Sequence, residues 1–117
     1  DGQQPSVHLV SSTQAILSPG RPWLFTDRHA DLGYANQLDS LDRLGEVDWS
    51  VMPVQQWGGY QEVKEKRQAE FLVHDWCPWS AIEVIGVMNQ EIAARVAAAI
   101  AGADHKPRVE VHRDWYY

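Results

Sequence analysis

KRQAEFLVHDWCPWSAIEVIGVMN, residues 66–89, decides the fold. Phe71, Leu72 and Val73 follow one another and read as part of a strand, RQAEFLVHD, which ends in a turn at WCPW where Pro78 closes it. AIEVIGVM reads as a further strand, so largely apolar that it belongs at the centre of a sheet. Asn89 then caps a helix, QEIAARVAAAIA, in which Ile92, Val96 and Ile100 recur on one face and Gly102 is the stop. One residue in the stretch is out of character. Glu70 stands at the mouth of the first strand, one step before the apolar run, with Lys66 and Arg67 just upstream. A carboxylate there is either a solvated edge residue or a working group held rigidly on a strand end.

Working outward, SVHLV (6–10) alternates and is β-rich, so it reads as a strand. SSTQAILS is a short helical turn capped by Ser12 or Thr13 and stopped by Pro19-Gly20. WLFT (23–26) is another short strand, after which Asp27 is placed to cap a helix through DRHADLGYANQL, with Leu32 or Gly33 packing inward. DSLDRLGEVDW is a polar turn or short helix. Residues 53–66 hold a Gly-Gly pair, a Trp, a Tyr and many charges, the composition of a loop. PRVEVH alternates as a last strand before RDWYY. The sum is an α+β domain of about five strands and two or three helices, without repeats or low-complexity tracts. At 117 residues, 44% hydrophobic and 22% charged, the chain fits one small domain with one core.

Charge narrows the function. The net charge of −6 argues against a strong non-specific nucleic-acid binder, which holds phosphates with a basic excess. Locally the balance differs, because Lys64, Lys66 and Arg67 form a basic patch ahead of Glu70. Six tryptophans and four tyrosines are a heavy dose; aromatics stack on bases but more often fill cores and interfaces. A single cysteine, Cys77, excludes an internal disulfide and suits a reducing compartment, so the expected location is cytoplasmic. No apolar stretch reaches the roughly 20 residues of a membrane helix. His74, Asp75 and Cys77 lack the second half of a zinc-ligand set, so no metal is expected.

Taken together, KRQAEFLVHDWCPWSAIEVIGVMN, GQQPSVHLV, FTDRHA, VDWSVM and the terminal DWYY resemble the DarT family of DNA ADP-ribosyltransferases, the toxins of DarT–DarG toxin–antitoxin pairs. The resemblance runs over essentially all of residues 1–117 and implies the C-terminal portion of a DarT-like domain, part of an ADP-ribosyltransferase-like mixed β-sheet fold with flanking helices. The N-terminal part of that fold, with its F-T-H strand and catalytic arginine region, lies outside the match. The resemblance implies NAD⁺ as co-substrate, ADP-ribose transfer to thymine in single-stranded DNA, and a DarG-like macrodomain antitoxin as partner. It also implies that a complementary N-terminal half completes the site.

Residue by residue, the family's A-E-x-L-V glutamate matches Glu70, implied to be catalytic and to contact the NAD⁺ ribose. A fixed carboxylate beside a sugar that is losing nicotinamide stabilises the developing positive charge. The segment before Glu70 resembles the family's substrate-recognition loop. There Trp57 and Tyr60 can stack on a base and Lys66 and Arg67, with Lys64, can hold phosphates. The plain alternative is a solvated charge run. His29, in TDRHA, matches a position near the active site in several members; Tyr34, one or two turns along the same expected helix, lines the site or packs. Trp76, Trp79, Trp115, Tyr116 and Tyr117 read as core or closing contacts. Two other functions stay open: a catalytically inactive fragment that acts by pairing with another chain, and a transferase that modifies protein with the same glutamate chemistry.

Overall fold

The computed structural model describes residues 5–54 and 59–116. Instead of one core, the chain forms two compact units: Asp1–Gly20 with Trp76–Tyr117, and Arg21–Asp75. The second is a continuous insertion in the first, and each has its own hydrophobic cluster.

The discontinuous unit is built on a three-stranded mixed sheet, with β1 (His8–Val10) and β6 (Arg108–Val111) flanking β5 (Val84–Val87). The apolar run is thus the central strand, and all four of its residues are buried. β1 pairs with it antiparallel and β6 parallel. A parallel neighbour requires a crossover, which α3 (Gln90–Ile100) supplies, starting where the Asn89 side chain accepts the Ile92 N–H at 2.9 Å. Ile92 of α3 joins Ile85 and Val87 in the buried cluster, and Val96, Ile100 and Val109 pack against it. The other face of β5 is closed by the C-terminal segment: Trp115 lies against Gly86, and the Tyr116 hydroxyl donates to the Ser6 carbonyl at 2.6 Å. Trp115 is held in turn by a stacked His112 at 3.9 Å and an edge-on His8 at 5.6 Å. α1 (Thr13–Leu17) begins at Ser12, whose hydroxyl accepts the Ala15 N–H.

The insertion carries an antiparallel sheet in the order β3 (Gln37–Leu38), β2 (Trp23–His29), β4 (Ala69–Val73). Trp23, Phe25 and Phe71 stack as a ladder on one face, with rings 5.3–6.4 Å apart and nearly parallel. Phe25 stands directly opposite Phe71, which is why cross-strand aromatics meet. Leu38 and Val47 complete this cluster.

Two expectations fail in the insertion. No helix runs from Asp27 to Leu38. β2 continues to His29, and the chain turns back into β3. The Asp27 carboxylate binds Asn36 nine residues on, accepting its backbone N–H and its side-chain amide at 2.9 Å each, so it closes a turn instead of capping a helix. Residues 53–66 are also not simply a loop. Gln61–Arg67 form helix α2, with Lys64, Lys66 and Arg67 in its last turn, where cations favour the helix C-terminus. Trp57 and Gly58 lie outside the described residues. Among the described residues no helix is long and apolar enough to cross a membrane.

Candidate active site

Glu70 is the second residue of β4, an edge strand of its sheet, and its side chain is solvent-exposed. It also borders a pocket of about 230 Å³ whose walls include Phe25, Leu44, Val47, Trp49, Met52 and Phe71. Among the described residues Glu70 is the only ionisable group in that lining. Trp49 forms part of the rim; its indole N–H donates to the Leu44 carbonyl at 2.9 Å, which fixes the ring although more than half of it is exposed. The Glu70 backbone N–H donates to the Thr26 hydroxyl at 3.0 Å.

His29 ends β2 and pairs with Ala69, the residue before Glu70. The Asp31 N–H donates to His29 Nδ1 at 3.1 Å, so the neutral ring carries its proton on Nε2. His29 therefore sits on a strand, one register position from Glu70, and not on a helix surface.

Tyr34 lies in the 30–36 turn, and its phenol is hydrogen-bonded to Glu65 of α2. The Arg28 guanidinium lies over the Tyr34 ring at 5.2 Å and 3.7 Å from Glu65. Gln61 donates to the same carboxylate at 3.3 Å. Glu65 is one of two buried polar residues among those described, and these partners make its burial affordable. Its pKa is lowered, chiefly by the Tyr34 hydrogen bond and then by Gln61 and Arg28, against the opposing effect of burial. Tyr34 is correspondingly raised, first by Glu65. The cluster fastens α2 to β2. A carboxyl with a depressed folded-state pKa contributes stability that is complete above its unfolded pKa, about 4.3, and is lost as pH falls through the lower folded value. Acid melting curves of Glu65→Gln should accordingly flatten relative to wild type below about pH 4.3. Identical pH profiles would show that Glu65 has no partner worth protonating against.

The basic patch is more structural than its sequence suggests. Arg67 Nη1 donates to the carbonyl oxygens of Met52 and Val54 and, at 3.4 Å, Val51, tying α2 to the end of the preceding 3₁₀ turn. Lys66 pairs with Glu62 at 3.1 Å and Asp48 at 3.7 Å. Arg67→Ala should cost roughly 2–4 kcal/mol by removing charge-assisted bonds to carbonyls that then go unpaired. Arg67→Lys decides between clamp and phosphate ligand. It keeps the charge but not the planar fork, so a clamp predicts a melting temperature close to that of Arg67→Ala. Wild-type stability in Arg67→Lys would contradict the clamp.

Tyr60 precedes α2 and is 69% exposed. Of the expected site residues, the fold thus brings His29 to the strand position beside Glu70, joins Tyr34 to α2, and sets Lys66 and Arg67 on the helix leading into β4. Nothing in the sequence marks Arg28 or Glu65 as site residues; for Thr26 the one signal is an isolated polar residue in the strand WLFT. Among the described residues no group of three or more His, Cys, Asp or Glu side chains is arranged to hold a metal.

The family model for DarT, ssDNA thymidine ADP-ribosyltransferase, matches residues 1–117. A DNA ADP-ribosyl transferase of Thermus sp. (strain 2.9) is 41% identical over 118 residues, covering 99% of this chain and 56% of the relative. One from Escherichia coli O127:H6 is 25% identical over 114 residues, covering 95% of this chain and 52% of the relative. Thermus sp. 2.9 DarT in complex with NAD⁺ superimposes with a TM-score of 0.89 at 39% identity, over 95% of this chain and 57% of that one. The same protein in complex with ADP-ribosylated ssDNA also gives 0.89, over 95% and 54% of the two chains. The chain spans about half the length of the curated relatives it matches. With a match along its whole length and a fold shared at this level, the chain belongs to the DarT family.

Proposed function

We propose that this chain carries the glutamate-bearing, C-terminal part of a DNA ADP-ribosyltransferase that moves ADP-ribose from NAD⁺ to thymine in single-stranded DNA. The observation that carries the reading is Glu70: a carboxylate on an edge strand, its backbone tied to Thr26, beside an apolar pocket, in a chain matched by the DarT model over residues 1–117. In the reaction the bond between nicotinamide nitrogen and ribose C1′ breaks, and nicotinamide leaves with the bonding pair. The sugar gains oxocarbenium character, and a thymine nitrogen bonds to C1′ as its proton departs. Glu70 stabilises the positive charge on the sugar and orients it through a ribose hydroxyl.

His29, with its Nε2 proton, is a donor to substrate on the neighbouring strand. Tyr60 offers an exposed ring for base stacking, with Trp57 and the cations of α2 in the same segment. Tyr34 acts through Glu65 and Arg28 by holding α2 in place. The thymine proton passes to a base supplied by the segment that the relatives carry beyond this chain's length. A DarG-like macrodomain antitoxin is the corresponding partner, and the cytoplasm the site of action.

The acceptor class can be tested by offering labelled NAD⁺ with single-stranded DNA and protein together to the assembled enzyme, this chain plus the remaining segment of its relatives. Label entering DNA supports the proposal. Label entering only protein would make this a protein-modifying transferase, and no transfer at all would favour the inactive-fragment reading.

A further inference from the structure

The ladder between β2 and β4 breaks beside Glu70. Phe25 pairs with Phe71, yet the next aligned pair is His29 with Ala69, so β2 takes four steps where β4 takes two. Such a bulge removes regular ladder partners and re-aims the side chains next to it. The Glu70 N–H, facing the bulge, takes the Thr26 hydroxyl as acceptor at 3.0 Å. Thr26 is 1% exposed. In the strand WLFT a valine would fill the same shape without burying a hydroxyl, which costs free energy unless that hydroxyl is used. Its visible use is the Glu70 amide.

We infer that Thr26 is a positioning residue: its buried hydroxyl fixes the Glu70 backbone at the bulge and thereby the direction in which the carboxylate leaves the strand. The inference rests on the proposed role of Glu70. Thr26 acts through Glu70 and not on substrate.

Three variants of the assembled enzyme test it, Thr26→Val, Thr26→Ser and Glu70→Gln, with amide exchange at Glu70 measured on this chain. Thr26→Val should lower kcat about 10- to 100-fold, as small misplacements of a reacting group do. Its KM for NAD⁺ should stay within about twofold, since the lost contact matters in the transition state. Thr26→Ser, which keeps the hydroxyl, should restore most of kcat. Exchange at the Glu70 amide should speed up about tenfold or more in Thr26→Val and stay near wild type in Thr26→Ser. Should Thr26→Val not fold, Thr26→Ala removes the hydroxyl without adding bulk and carries the same expectations. Wild-type kcat in a Thr26 variant lacking the hydroxyl, with Glu70→Gln inactive, would overturn the inference and leave the role of Glu70 standing. An active Glu70→Gln would instead overturn that role, and the inference with it.

Discussion

Glu70→Gln should reduce transfer by the assembled enzyme about 10²- to 10³-fold, the usual loss when one preorganised electrostatic partner of a transition state is removed. Glutamine keeps the size of the side chain and can still hydrogen-bond a ribose hydroxyl, but it carries no negative charge for a cationic sugar. Stability should hardly change. The Glu70 side chain is exposed, and the fold holds this residue through its backbone amide; substitutions at such positions usually stay within about 0.5 kcal/mol. The pair of measurements therefore separates chemistry from folding. Nicotinamide release gives the rate and thermal melting gives the stability, and activity within about tenfold of wild type in a folded variant would remove Glu70 from the centre of the site.

A large loss of stability is also expected at Gly86. A Cβ there would stand 2.5 Å from Trp115 Cε3 and closer still to Cζ3. The ring has little room to retreat, because His112 stacks on it and His8 meets it edge-on. Gly86 also belongs to the buried central strand, where backbone shifts would disturb pairing with both β1 and β6. Overpacking of this kind costs about 3 kcal/mol, which lowers the melting temperature of a small domain by roughly 10 °C or more. Trimming the ring should relieve the clash, so Gly86→Ala combined with Trp115→Leu should lose less than the two single costs added together. Additive losses, or a Gly86→Ala protein that melts like wild type, would mean that Trp115 does not cover this strand.

How far the sequence could be read depends on the reach of each interaction. β4, β5, β6 and α3 were legible because their signals are local: an apolar run, an alternation, a cap at Asn89 and a repeat along one helix face. The 27–38 segment is not legible as a turn, because the Asp27 carboxylate is claimed by Asn36, a partner that a capping pattern does not anticipate. α2 was hidden by the glycines and charges before and within it, and it is secured by the Arg67 carbonyl contacts and the Arg28–Glu65–Tyr34 cluster. The division into two units was likewise invisible, since the chain leaves one unit after Gly20 and returns at Trp76.

The candidate site divides in the same way. Glu70 stood out as a charge ahead of an apolar strand, and the family resemblance gave it a role. The Thr26 contact exists only because a bulge shifts the register between two strands 44 residues apart in sequence. Lys66 and Arg67 looked like a free basic patch, whereas the folded chain binds them to nearby carboxylates and carbonyls.

The central claim, ADP-ribose transfer to thymine, is tested most directly by mass spectrometry of paired single-stranded oligonucleotides that differ only in containing or lacking thymine. Each would be incubated with NAD⁺ and the assembled enzyme, with Glu70→Gln enzyme as the control. The expected result is one added ADP-ribosyl mass on the thymine-containing strand alone, absent with the variant. Nicotinamide release without a DNA adduct, or equal modification of the thymine-free strand, would contradict it.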